Sequence, residues 1–153
     1  MKVLVKSLLT LVLLTFAGSP AWAAGGGSGG GGGSNLQPYQ KLIDARQYQQ
    51  AIDQLEKALA KKPKDADLLN LAAYSHRQLG HLDTALGLYQ KALAIEPEHL
   101  GANEYMGELY LEMGDLEKAE ARLAVLDSAC FFGCDEYDEL KAAIDLYRKQ
   151  NPS

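Results

Sequence analysis

A block of this chain repeats at a fixed step. Lys57-Ala58-Leu59-Ala60 recurs unchanged as Lys91-Ala92-Leu93-Ala94, 34 residues later, and Pro63 recurs as Pro97 at the same offset. Ala51, Ala85 and Ala119 keep that step, as do Tyr48, Leu82 and Leu116, and Gly80 and Gly114. A unit of this length cannot bury its apolar face alone, so copies must stack. Beyond Asn35 the chain is dominated by Ala, Leu, Gln, Glu and Lys, all good helix formers, and holds one valine, Val125. No alternating β-branched run is present. The expected architecture is therefore all-α, with helices paired antiparallel into a solenoid.

The punctuation places the helices. Gly80 and Gly114 suit the left-handed position just past a helix end. Pro63 and Pro97 stop a helix, because proline lacks a donor and restricts the residue before it. Helices are predicted near 38–45, 48–61, 66–79, 82–95, 101–113 and 116–129. Small residues mark close crossings: Ala73 and Gly107 within a pair, and Ala51, Ala85 and Ala119 on each second helix. A further helix is predicted over 135–150, with Asp135 able to cap it and Asp138 and Glu139 in its first turn. Its stripe of Tyr137, Leu140, Ile144 and Tyr147 suits a terminal cap over the last unit, or a face left open for a partner.

These residues resemble the tetratricopeptide repeat (TPR) family, and the likeness runs from about Pro38 to Ala129. The second unit carries Leu69, Ala72-Ala73 and His76, then Ala85, Tyr89, Ala92 and Pro97. The third carries Asn103, Met106-Gly107 and Tyr110, then Ala119 and Leu123. The first carries Tyr39 and Leu42, then Ala51, Leu55, Ala58 and Pro63. It departs at Arg46, where the others have glycine, and the third departs at Leu126 and Phe131. The resemblance implies about 2.5–3 units, spanning 37–65, 66–99 and 100–134, followed by the capping helix.

The N-terminus reads as an export signal over residues 1–23. Lys2 and Lys6 precede an apolar core from Leu8 to Ala17, and Ala21-Trp22-Ala23 offers small residues for cleavage after Ala23. That core is short of the roughly 20 residues that cross a bilayer, so stable insertion after cleavage is not expected. Residues 24–36 are glycine- and serine-rich and read as a flexible tether. Export, most simply to a periplasm, is the expected location.

Removing residues 1–23 takes away two lysines and no acid, so the net charge moves from −5 to −7. Acids and bases balance over 24–99, but 11 acids face only Lys118 and Arg122 over 100–139. A basic nucleic-acid footprint is absent. No cofactor motif, phosphate loop, nucleophile elbow or metal-ligand spacing is found. His76, His81 and His99 do not share a ligand face, and His76 sits in the slot of a packing aromatic. In the oxidising compartment that an export signal implies, Cys130 and Cys134 are expected to form a disulfide around Phe131-Phe132-Gly133. Thiol chemistry and metal or intermolecular pairing stay open as alternatives.

In the family it resembles, the first helix of each pair lines the concave groove. That implies Gln40, Ile43 and Asp44 from the first unit and Asn70, Tyr74, Arg77 and Gln78 from the second. The third would add Glu104, Glu108, Leu111 and Glu112. Three glutamates four apart share one face and repel one another, which a basic partner or Arg77 could offset. The functional expectation is a non-enzymatic scaffold holding a protein or peptide segment, with a basic stretch suited to the glutamates. Its candidate contacts are Asn70, Tyr74, Arg77, Glu104, Glu108 and Glu112. The alternative is an envelope redox or assembly helper using Cys130 and Cys134. A monomer or weak homo-oligomer is expected.

Overall fold

The computed structural model describes residues 34–152. The expected export signal and most of the glycine-rich segment lie outside the described residues. Seven helices follow in order: α1 (Gln37–Asp44), α2 (Tyr48–Leu59), α3 (Ala66–Gln78), α4 (Leu82–Ile95), α5 (Leu100–Glu112), α6 (Leu116–Ala129) and α7 (Asp135–Gln150). No strand occurs among the described residues. Each helix packs on its chain neighbour, and α3, α5 and α7 form a row in which α5 touches both of the others. The array is a helix-pair solenoid with α7 closing its C-terminal end.

Three first helices end in the same way. The chain goes left-handed at Arg46 (φ 56°), Gly80 (φ 77°) and Gly114 (φ 80°). The next amide then reaches back five residues: Gln47 N–H to Leu42, His81 to His76 and Asp115 to Tyr110, at 2.8–3.0 Å. These reach-back bonds satisfy carbonyls that a helix end would otherwise leave orphaned. Arg46 therefore does a glycine's work with a side chain attached. At the other ends, Asp65 accepts from Leu68 N–H and Asp115 from Lys118 N–H, both at 3.1 Å, and His99 Nδ1 accepts from Ala102 N–H. Asp135 does not cap α7: Cys134 holds the cap position and Asp135 is the first helical residue. Its charge still meets the helix's positive end, with Glu136 and Asp138 beside it.

The alanines mark where backbones approach. Ala51, Ala73, Ala85, Ala92, Ala102 and Ala119 are all fully buried. One core runs through α3 to α7 around Tyr89, Leu109, Leu126, Leu140 and Ile144. A second, smaller core holds Ile43, Ala51, Leu55, Leu68, Leu71 and Ala72, joining the first pair to the other side of α3. Asn103, with no exposed surface, pins the start of α5: its amide donates to the Pro97 and His99 carbonyls and its oxygen accepts from Arg122.

The small residue at 107 serves a different contact from the one expected within its pair. A Cβ there would sit 2.5 Å and 2.7 Å from the two terminal carbons of Leu140 on α7. Gly107 is thus the notch that receives the capping helix. Leu140 and Ile144, the centre of the apolar stripe, are turned into this contact and buried.

Candidate functional site

The expected groove residues stand on α3 and α5, one turn apart along each helix. Tyr74 is half-buried and lies against Tyr105, with ring centres 4.9 Å apart and planes tilted by 53°. Tyr48 meets Tyr74 edge-on at 6.4 Å. Three aromatic rings from α2, α3 and α5 therefore form a ladder across the array. Burial raises the hydroxyl pKa of both Tyr74 and Tyr105. Both phenols stay neutral donors throughout the physiological range.

Beside the ladder, Arg77 crosses from α3 to α5 and splits between two carboxylates. Nη1 meets Glu108 at 2.5 Å and Nη2 meets Glu112 at 2.7 Å. The Arg77 side chain is only 10% exposed. Burial works against its charge, but Glu108, with help from Glu112, more than offsets this and raises the pKa. The guanidinium is thus a fixed bracket between units, and two of the three groove glutamates are spent on it.

The third glutamate corrects the sequence expectation. Glu104, a candidate groove contact, is only 3% exposed. The reason is α7, which covers that end of α5 and brings Glu139 and Glu136 close. Burial first, then hydrogen bonding with Glu139 and repulsion from Glu108, Glu139 and Glu136, pushes the Glu104 pKa up to about 10. That shift favours the neutral carboxyl at neutral pH, at the seam between α5 and α7. The acidic stripe of 104, 108 and 112 reduces to two carboxylates neutralised in part by one arginine.

Other expected groove members also sit deeper than foreseen. Asn70 is 6% exposed, next to Gly101 and Tyr105, and its oxygen has no hydrogen-bond partner among the described residues. Ile43 belongs to the smaller core, and Leu111 packs on the larger one. Gln40 and Asp44 bond to each other at 3.0 Å. Gln78 is exposed at the end of α3. Tyr105 and Glu139 were not among the sequence candidates. Tyr105 lies 31 residues from Tyr74, off the 34-residue step, so register alone pointed past it.

Cys130 and Cys134 are joined, with sulfurs 2.03 Å apart. The turn between them uses Gly133 at φ 84°. No free cysteine remains among the described residues. His76 and His81 place their Nδ1 atoms 3.3 Å apart, and burial followed by His81 lowers the His76 pKa. No group of three metal-ligating side chains occurs among the described residues. None of their helices is long and apolar enough to cross a membrane.

Comparison with known proteins agrees with this architecture. Residues 76–144 match the family model described as Tetratricopeptide repeat. Among solved structures, the Sgt2 TPR domain from Aspergillus fumigatus aligns with TM-score 0.66 and 19% identity, covering 74% of each chain. The type III secretion translocator chaperone SycD of Yersinia enterocolitica aligns with TM-score 0.68 and 12% identity, covering 77% of this chain and 83% of that one. SycD in complex with a peptide of the translocator YopD aligns with TM-score 0.63 and 15% identity, covering 75% and 87%. No curated protein matches the sequence.

Proposed function

From the match of residues 76–144 to tetratricopeptide repeats, we propose that this chain is an exported, non-enzymatic scaffold that holds a protein or peptide segment on its α3–α5 face. The observation that carries the reading is the Tyr74–Tyr105 pair, half-exposed, mutually braced and set beside the Arg77 bracket. Tyrosine and arginine are the residues that most often carry binding energy at interfaces. They offer large contact area and directed hydrogen bonds at low entropy cost, because their neighbours already fix them. That one of the structural neighbours was solved with a translocator peptide supports a peptide-holding use of such a fold.

The chemistry of the segment follows from the corrected charges. With Glu104 neutral and Glu108 and Glu112 paired to Arg77, a strongly cationic ligand gains little at this face. A segment with an apolar or aromatic residue for the tyrosines and a polar backbone for their hydroxyls fits better. Location enters through the sequence: the charged end, apolar core and small residues over 1–23 support export, most simply to the cell envelope.

The test is capture from an envelope extract of the native host, with wild type and Tyr74→Ala/Tyr105→Ala as baits and mass spectrometry as readout. The expected result is a discrete set of proteins retained by wild type and lost by the variant, with unchanged helical content in both. Equal capture by both baits would refute the α3–α5 face as the binding surface. Intact mass of the mature chain checks export: an N-terminus at Ala24 is expected, and retention of Met1 would contradict it.

A further inference from the structure

The groove leaves one conspicuous feature unused. Phe131 and Phe132 are 91% and 104% exposed, side by side in the loop that the Cys130–Cys134 disulfide closes. Two bare phenylalanines held out by a covalent brace cost solvation and bring no packing within the chain. The surroundings are acidic. Between Arg122 and Lys141 there is no lysine or arginine, whereas Asp127, Asp135 and Asp138 fall there and are exposed.

The opposite end of the array offers a counterpart. A hollow of about 450 Å³ opens there among α1, α2 and α3. Its floor is apolar, with Tyr39, Ala58 and Leu68, and its rim carries Lys57, Lys61 and Lys62. Lys57 and Lys61 have no carboxylate partner among the described residues, and Lys62 donates only to Ser34 Oγ, at 2.8 Å. A second hollow of about 320 Å³, between α4, α5 and α6, is also edged by cations, Lys118 and Arg122. Those two are already engaged, Lys118 by Asp115 and Arg122 by Asn103.

We propose that the chain self-associates head to tail, the Phe131–Phe132 loop of one copy seating in the Lys57/Lys61/Lys62 hollow of the next. Shape and charge match at opposite ends of one molecule: an aromatic tip in an acidic collar meets an apolar floor with a basic rim. Such an interface uses two different patches, so it does not close on itself as a two-fold dimer. It adds copies in series, or closes only as a ring. The disulfide serves here by holding the tip outward before contact, which lowers the ordering cost of association.

Sedimentation of the full chain against concentration decides the matter. Wild type is expected to rise from monomer through dimer to longer species, and added salt is expected to weaken the series. Phe131→Ala/Phe132→Ala keeps the hollow and loses the tip; Lys57→Glu/Lys61→Glu keeps the tip and loses the hollow. Each alone is expected to stay monomeric, with association weakened about tenfold or more. All four positions are exposed, and circular dichroism of both variants checks that they fold. An equimolar mixture of the two is the discriminating arm: one intact tip and one intact hollow remain, so it is expected to form heterodimers and stop there. A wild type that stays monomeric at every concentration overturns the proposal. So does a lysine variant that still associates, or a mixture that stays monomeric. If Lys118→Glu abolishes association while Lys57→Glu/Lys61→Glu does not, the acceptor is the other hollow and the assignment is wrong.

Discussion

Two residues work against their own chemistry. Arg46 holds a left-handed backbone, φ 56°, that the equivalent positions give to glycine. Its side chain is exposed, so nothing visible compensates the strain. Arg46→Gly is expected to raise the unfolding free energy by about 1 kcal/mol, read from urea denaturation. Glu104 is the second. Its carboxyl is protonated in the fold up to about pH 10 but titrates at its ordinary value, 4.5, when unfolded. A raised folded-state pKa gives stability that is fully present below the unfolded value and is lost as pH rises toward the folded one. In that window the loss approaches about 1.4 kcal/mol per pH unit. Glu104→Gln keeps a neutral donor and removes the titration. The stability of this variant relative to wild type is therefore expected to grow between about pH 5 and pH 9; a constant difference would mean that Glu104 is ionised in the fold. Neither the burial nor the shift was legible in the sequence. The step of four along α5 correctly put 104, 108 and 112 on one face, but which helix covers that face is a tertiary fact.

At the scale of elements, most of the fold was readable because the repeat fixes register many times over. Glycine past the helix end, proline beyond the next, and buried alanine at each crossing all agree on the same boundaries. The helix over 135–150 was readable as a cap from its stripe of Tyr137, Leu140, Ile144 and Tyr147. Its seat against Gly107 was not, because a glycine in a helix announces a close approach without naming the neighbour. Gly107→Ala tests that seat. An exposed helix would gain about 1 kcal/mol from this change. Here the new carbon would strike Leu140, which has nowhere to go, and a net loss of about 1 kcal/mol is expected. Leu140→Ala is expected to cost about 2–5 kcal/mol alone and to abolish most of the Gly107→Ala penalty in the double variant, as thermal unfolding of all four species would show. Reducing Cys130–Cys134 opens no core, since neither cysteine belongs to one, and a loop of this length contributes only about 2 kcal/mol.

Over the whole molecule, stability is unevenly spread. The larger core binds α3 through α7 into one body, whereas the first pair rests on the smaller core of Ile43, Leu55 and Leu68. Amide exchange is therefore expected to be faster in α1 and α2 than in α3 and α5. The proposed recognition face lies on the well-supported helices, where neighbours already brace Tyr74, Tyr105 and Arg77. Position 74 was named through the family resemblance, which implies that the first helix of each pair lines the groove. Position 105 was not, because the ring that completes the pair comes from a different step of the next unit. The most direct test of the central claim is site-specific photocrosslinking in the native host, with the photoreactive residue at position 74 or 78 on α3, or at 91 on the exposed side of α4. A discrete adduct to one or a few proteins is expected from 74 and 78 and none from 91. Adducts from 91 with none from the α3 positions would contradict it.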